Sequence, residues 1–241
     1  MQESSSHCDF VALLLAAGQG RRLGLGRPKA QLELRGRSLL EWSARRLARL
    51  PGCRGVQIAM DQDTRDALWS EIAEELAPIV GLPPCLGGAT RQDSCRLAYE
   101  SAASHLPSFS LVAVHDAARP FFDLDACREG LRVAAAHGAA VLGHAAIDTL
   151  KRVDSQGRIL ATIDRSEVFQ AATPQIFRRA EFERILAHAA KTQTVGTDEA
   201  GLAEACGVPV RAVAAPASNL KITRPEDLLL ARGLEDILDQ A

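Results

Sequence analysis

Residues 10–16 read Phe-Val-Ala-Leu-Leu-Leu-Ala, an apolar run with no polar interruption that passes straight into a loop of glycine and arginine. A strand with one wet face alternates polar and apolar residues. A run like this one instead implies burial on both faces, as in a parallel sheet covered by helices on each side. Residues 55–60 and 110–115 read as further buried strands, 139–143 as another, and 208–214 and 220–222 as the last two.

Helical signals alternate with these strands. Ser38-Leu-Leu-Glu41 has capping-box spacing, with Leu39, Leu40, Trp42, Leu47 and Leu50 giving the helix after it an apolar side. Asp63 is placed to cap a helix to about residue 76, and residues 78–88 form a broken segment with room for a short strand, closed by Gly87-Gly88. Residues 91–105 read as helix, Asp123 caps one to about 136, and 181–191 and 199–206 read as two more. Thr223-Arg-Pro-Glu226 announces the last helix, with proline in its first turn. Between them, 148–153 and 158–163 flank Asp154-Ser-Gln-Gly157, a hairpin turn, so the region 145–172 reads as a β-arm projecting from the sheet. Strands alternating with helices predict an α/β fold: a Rossmann-like three-layer domain with a mostly parallel sheet.

Composition narrows the function. The 241 residues suit one compact domain, 1–241, large enough to need no disulfide or structural metal. With 28 basic and 30 acidic residues the net charge is −2, which lacks the basic excess of a nucleic-acid binder. Cys8, Cys53, Cys85, Cys95, Cys127 and Cys206 include no Cys-x-x-Cys pair, so they read as reduced thiols rather than zinc ligands. The polar start of the chain lacks a secretory pattern, and the longest apolar stretch is too short to span a membrane, so a cytoplasmic protein is expected.

Two segments point to chemistry. Ala16-Ala-Gly18-Gln-Gly20-Arg21-Arg22-Leu-Gly24, then Pro28-Lys29, follows the first strand. Glycines there leave backbone N–H groups open to an anion, and arginines add bidentate phosphate donors. A dinucleotide fingerprint would need glycine where Leu23 stands and a helix where Arg27-Pro28-Lys29 breaks one, so the loop suits a triphosphate that is bound and attacked. The second segment, His115-Asp116-Ala-Ala-Arg119-Pro120, closes a strand at the sheet edge where open α/β sheets bind ligands. Asp116 is suited to ribose hydroxyls or Mg2+ and Arg119 to phosphate, unless the two form a local ion pair; His115 reads as a packing or hydrogen-bonding residue rather than a base.

Together with Gly87-Gly88-Ala-Thr-Arg91-Gln-Asp-Ser94, Asp148-Thr149, Asp164-Arg165, Thr173-Pro-Gln175, Thr197-Asp-Glu199 and Asn219-Leu-Lys221-Ile-Thr-Arg-Pro-Glu-Asp227, in this order, the chain resembles the 2-C-methyl-D-erythritol 4-phosphate cytidylyltransferase family of the non-mevalonate isoprenoid pathway. The resemblance spans nearly the whole chain. It implies a Rossmann-like nucleotidyltransferase domain whose β-arm clasps a second subunit in a homodimer, with CTP, a sugar-alcohol phosphate and Mg2+ required. Arg22, Lys29 and Lys221 would surround the triphosphate as catalytic cations. Ala16, Ala17, Gly18, Gln19 and Gly20 would hold the nucleotide, Gly88 and Ser94 would define the cytosine pocket, and Asp116 would lie near ribose and metal. Arg119, Thr149, Arg165 and Thr197 would meet the erythritol phosphate, Thr149 and Arg165 in the partner's site. Three positions depart from the family pattern: Ala30 where glutamine usually follows Pro-Lys, Ala89 where an acidic residue often follows the paired glycines, and Phe169 for the arm's customary tryptophan.

The implied chemistry needs no protein nucleophile, in keeping with a sequence that offers no Ser-His-Asp set. The nearest rival is a cytidylyltransferase for ribitol 5-phosphate, against which Asp148-Thr149 and Arg165 weigh. A nicotinamide dehydrogenase is disfavoured by Leu23, and a nucleotide-sensing protein with a dead site by the retained Arg22, Lys29 and Lys221.

Overall fold

The computed structural model describes residues 9–18 and 28–239, so the expectations placed on Gln19, Gly20 and Arg22, and on Cys8, lie outside the described residues. The apolar run forms β1 (Phe10–Ala16) at the middle of a seven-stranded sheet. Phe10, Ala12, Leu14 and Ala16 enter one apolar cluster and Val11, Leu13 and Leu15 the other, which is why no polar residue interrupts the run. Burying each large side chain of this set contributes roughly 1.5–3 kcal/mol.

The remaining strands are β2 (Glu33–Leu34), β3 (Arg37–Ser38), β4 (Cys53–Met60), β5 (Cys85–Leu86), β6 (Leu111–Asp116), β7 (Ala139–Ala145), β8 (Leu150–Val153), β9 (Ile159–Ile163), β10 (Phe169–Arg178) and β11 (Arg211–Ala214). The sheet order is β11-β7-β10-β6-β1-β4-β5, and only β10 runs against the others. Helices α1 (Leu39–Ala48), α2 (62–80) and α4 (Leu124–His137) cover one face. Helices α3 (Arg91–His105), α5 (Arg179–Thr192) and α6 (Glu199–Ala205) cover the other. A third cluster, including Leu34, Trp42, Phe121 and Ile222, seats α7 (Pro225–Gly233) beside the β2–β3 hairpin. The three layers and the mostly parallel sheet are those expected.

Several local expectations are corrected. Helix α2 starts two residues early, because Asp61 rather than Asp63 accepts the Thr64 N–H at 2.8 Å. It runs through Pro78 to Val80, since buried Leu76 and Val80 anchor its last turn before Gly81 (φ 70°) ends it. Asp227, not Glu226, closes the α7 cap, accepting from the Thr223 and Arg224 N–H groups at 2.7 and 2.8 Å. Residues 220–222 form no strand; the Ile222 N–H donates to Ala118 O at 2.9 Å and the Leu220 N–H to Ser218 O at 2.6 Å, with no ladder between them. Strand β11 begins at Arg211, because Val208 N still closes the end of α6 on Ala203 O.

The largest omission is β10. The sequence assigns no strand to Thr173-Pro-Gln175, yet it lies inside this strand with a cis Thr173–Pro174 peptide. The ladder to β7 shifts register between Ala171 and Gln175, which accommodates a residue with no N–H to donate. Within the region read as an arm, 145–172, β8 and β9 form a separate antiparallel pair turning at Gly157 (φ 79°), whereas residues 169–172 belong to β10 of the main sheet, where Phe169 pairs with Ala145. Ile147, Val153, Ile159 and Leu160 are exposed along the arm. Among the described residues no helix is long and apolar enough to cross a membrane.

Candidate active site

A cavity of about 800 Å³ opens where β1, β5 and β6 end. The chain passes from β1 to β4 on one side and later returns to β6 on the other, so the cavity sits at the point where strand order reverses. Ala16, Ala17 and Gly18 leave β1 along one wall, and Lys29 enters from a 3-10 turn (Lys29–Gln31) set by Pro28.

Gly87 and Gly88 line the cavity next to Ala17. A Cβ on Gly87 would lie 2.4 Å from Ala17 Cβ, and one on Gly88 would lie 2.3 Å from Asp93 Cβ, so only glycine lets the loop pass between β1 and α3. Ser94 Oγ accepts the Gly88 N–H at 3.1 Å and donates to Thr90 O at 2.9 Å, tying this loop to the first turn of α3. A Thr90–Asp93 capping box fixes that turn beside the cavity, where the positive end of the helix dipole favours an anion.

Asp116 ends β6 at the cavity, 7% exposed, with a cation on each oxygen. Arg91 Nε donates to Oδ1 at 3.1 Å and Lys221 Nζ to Oδ2 at 2.6 Å. Burial alone would push this carboxyl up, but Arg91 and Lys221 outweigh it and hold the group well below the usual carboxylate range. Arg91 also donates through Nη1 to both oxygens of Glu199, at 2.8 and 2.9 Å. Burial lowers its guanidinium, yet Glu199 and Asp116 more than compensate and keep it charged.

A neutral network braces the far side of Asp116. The Asp116 N–H donates to Thr173 Oγ1 at 3.1 Å, and because Arg119 O can only accept from His115 Nε2, the neutral ring's Nδ1 accepts from the Thr173 hydroxyl at 3.0 Å. That leaves the proton of His115 on Nε2, which donates to Arg119 O at 3.1 Å. His115 is fully buried, and burial pushes its pKa down to about 3 against the opposing pull of Asp116, so it is a neutral hydrogen-bonding residue as expected. Arg119 does not pair with Asp116; its Nη1 donates to Asn219 O at 2.7 Å, and Asn219 Nδ2 donates to Thr173 O at 2.9 Å.

The cavity thus brings together Ala16, Ala17, Gly18, Lys29, Gly88, Ser94, Asp116 and Lys221. Arg119, Thr149, Arg165 and Thr197 do not line it. Thr149 and Arg165 stand exposed on the arm, where Arg165 Nη1 donates to Ile147 O, and exposed Thr197 precedes the cap of α6. Sequence reasoning gave no role to Arg91, Glu199, Thr173 or Asn219. All four lie in motifs noted for their order, but buried pairing across such separations leaves no local pattern. Among the described residues no group of three or more His, Cys, Asp and Glu forms a metal site; Asp116, already paired by two cations, would be at most one ligand.

A glycine-walled cavity with lysines from two distant loops, at the switch point of a mostly parallel sheet, suits a phosphate-rich nucleotide, and the fold is that of the α/β nucleotidyltransferases. The sequence matches the 2-C-methyl-D-erythritol 4-phosphate cytidylyltransferase family over residues 10–238, and the chain belongs to that family. A 2-C-methyl-D-erythritol 4-phosphate cytidylyltransferase of Pseudomonas putida is 40% identical over 223 residues, covering 91% of this chain and 92% of that protein. The crystal structure of the Thermus thermophilus protein of the same name superposes with a TM-score of 0.74 at 32% identity, covering 94% and 98% of the two chains. At 23% identity, the 4-diphosphocytidyl-2C-methyl-D-erythritol synthase structure from Anaerococcus prevotii, with a TM-score of 0.80 over 95% and 97% of the chains, shares the fold. These matches do not favour the ribitol-phosphate alternative.

Proposed function

We propose that the chain transfers the cytidylyl group of CTP to 2-C-methyl-D-erythritol 4-phosphate, giving 4-diphosphocytidyl-2-C-methyl-D-erythritol and pyrophosphate for isoprenoid precursors. The observation that carries this reading is the convergence of Lys29 and Lys221, 192 residues apart in sequence, on one cavity beside a glycine wall. An acceptor phosphate oxygen bonds to the α-phosphorus of CTP, and the bond from that phosphorus to the bridging oxygen breaks as pyrophosphate leaves. Charge builds on the transferring group, and fixed cations stabilise it more in the transition state than in the ground state.

In this reading Lys29, Lys221 and Arg22 surround the phosphates, and the backbone of residues 16–20 holds them. Gly88 and Ser94 border the base, with Ala89 in place of the acidic residue often found there. Asp116 holds Lys221 and meets the ribose. Mg2+ would arrive on the CTP phosphates and supply further positive charge there, with Asp116 the residue that would help hold it. Arg119 and Thr197 would face the acceptor.

Thr149 and Arg165 belong to this scheme through a second copy of the chain. Each arm would cross to the partner's cavity, covering Ile147, Val153, Ile159 and Leu160 in a homodimer, since exposed apolar residues of this kind favour association. The setting would be the cytoplasm. The test is pyrophosphate release from CTP, ATP, GTP and UTP, each offered methylerythritol 4-phosphate and ribitol 5-phosphate. Release should require CTP with methylerythritol phosphate; faster release with ribitol phosphate would overturn the acceptor assignment.

A further inference from the structure

We propose that Glu199 is a positioning residue for the transfer reaction, acting through Arg91 to keep Lys221 on Asp116. The inference rests on the cytidylyl-transfer reading only for its effect on rate. Four groups of alternating charge stand in series: Glu199 at the start of α6, Arg91 at the start of α3, Asp116 at the end of β6, and Lys221 in the loop before α7. Glu199 is 2% exposed, and its carboxylate accepts from Arg91 Nη1 at 2.8 and 2.9 Å, with the buried Cys95 thiol beside it. Arg91 in turn gives Asp116 a single bond, Nε to Oδ1 at 3.1 Å, and leaves Oδ2 to Lys221 at 2.6 Å.

The arrangement is one of two that Arg91 could adopt. A guanidinium fork matches both oxygens of a carboxylate, and a bidentate pair is the stronger contact. Arg91 Nη2 is buried and has no hydrogen-bond partner among the described residues, so one arm of the fork is unspent. With Glu199 neutral, Arg91 would turn onto both oxygens of Asp116 and displace the Lys221 ammonium from Oδ2. The cavity would then lose the orientation of one of its two lysines, though neither lysine is altered.

Glu199 is not required to hold α6 in place. Gln175 on β10 does that: its Nε2 donates to Asp198 at 2.7 Å, and its Oε1 accepts the Ala200 N–H at 2.9 Å. Asp198 also caps the helix on Gly201 N at 2.9 Å. A neutral, isosteric change at Glu199 therefore touches the charge series and spares the local fold.

The test pairs structure with kinetics. In a crystal structure of Glu199→Gln, Lys221 Nζ should lie beyond about 4 Å from Asp116, the usual limit of an ion pair. Lys221 still in contact with Asp116 would overturn the proposal, whatever the activity. In steady-state assays Glu199→Gln should lower kcat about tenfold or more while KM for CTP changes less than about threefold. Added to Arg91→Met, the same change should cost less than about twofold, because the residue through which it acts is gone. Independent, multiplying losses in the double variant would equally overturn it. If Glu199→Gln does not fold, Glu199→Leu, which also removes the charge, is read the same way. A wild-type protein with no CTP turnover, alongside a displaced Lys221 in the variant, would refute the proposed activity and leave the charge series standing.

Discussion

Lys221 and Asp116, 105 residues apart in sequence, meet at 2.6 Å at the mouth of β6, and Arg91 occupies the other oxygen of the same carboxylate. The lysine is thereby held at the cavity by a buried anion rather than by packing alone. Bond Ile222 N to Ala118 O, at 2.9 Å, fixes its backbone alongside.

Removing that anion should do two things. Asp116→Asn leaves Lys221 and the Nε of Arg91 facing a neutral amide, at a cost of about 1–3 kcal/mol, below that of a fully buried pair because Lys221 is 39% exposed and Arg91 keeps Glu199. Urea unfolding should show a loss approaching that range, and turnover should fall even at saturating CTP. A variant with wild-type stability would mean the carboxylate is not the organising charge.

Lys29 tests the cation role separately. Lys29→Ala should lose about 2–4 kcal/mol of transition-state stabilisation, by analogy with loss of one oxyanion donor. The readout is kcat/KM at saturating acceptor, and unchanged turnover would sink the assignment.

The glycine wall gives a steric prediction. Gly88→Ala sets a methyl 2.3 Å from Asp93 Cβ, so the loop or the first turn of α3 must shift. Overpacking of this kind costs about 1–3 kcal/mol. Calorimetric binding of CTP should weaken with it, whereas tight binding at wild-type stability would show that the loop tolerates a side chain.

His115 carries the pH dependence. Its pKa in the folded protein, about 3, is below the ordinary imidazole value, so the unfolded chain takes up a proton first as pH falls. Stability should therefore decline below pH ~6.5 with a contribution near 1.4 kcal/mol per pH unit from this one group, continuing toward pH ~3. Denaturant titrations of wild type and His115→Gln between these limits should differ in slope; equal slopes would mean that His115 is not held neutral.

The arm is tested by complementation. Arg165→Ala should raise KM for the acceptor while leaving CTP binding intact. If each arm serves its partner's cavity, mixing and refolding inactive Lys29→Ala with Arg165→Ala should restore activity through hybrid dimers, up to roughly a quarter of the wild-type rate for statistical pairing. No recovery would place Arg165 at its own chain's site.

The fold was legible in proportion to how local its signals are. Phe10–Ala16 announced a doubly buried strand by uninterrupted apolarity, and Ser38 with Glu41 announced a helix start that the structure bears out, with the Glu41 N–H donating to Ser38 Oγ at 3.2 Å. Strand β10 was not legible because proline and a register shift interrupt it, and its partners β6 and β7 alone supply the reason to be extended. At the site, Lys29, Gly88, Ser94, Asp116 and Lys221 were found through family motifs, and they do line one cavity. Arg91 with Glu199, and Thr173 with Asn219, were missed because each earns its place only by meeting residues from distant segments.

The central claim is transfer of a cytidylyl group to a sugar-alcohol phosphate, and phosphorus NMR of a reaction holding the purified chain, CTP, Mg2+ and methylerythritol 4-phosphate tests it most directly. The paired signals of a new unsymmetrical diphosphate should grow in equal amount with pyrophosphate. CMP and pyrophosphate without the coupled product, or unreacted CTP, would contradict it.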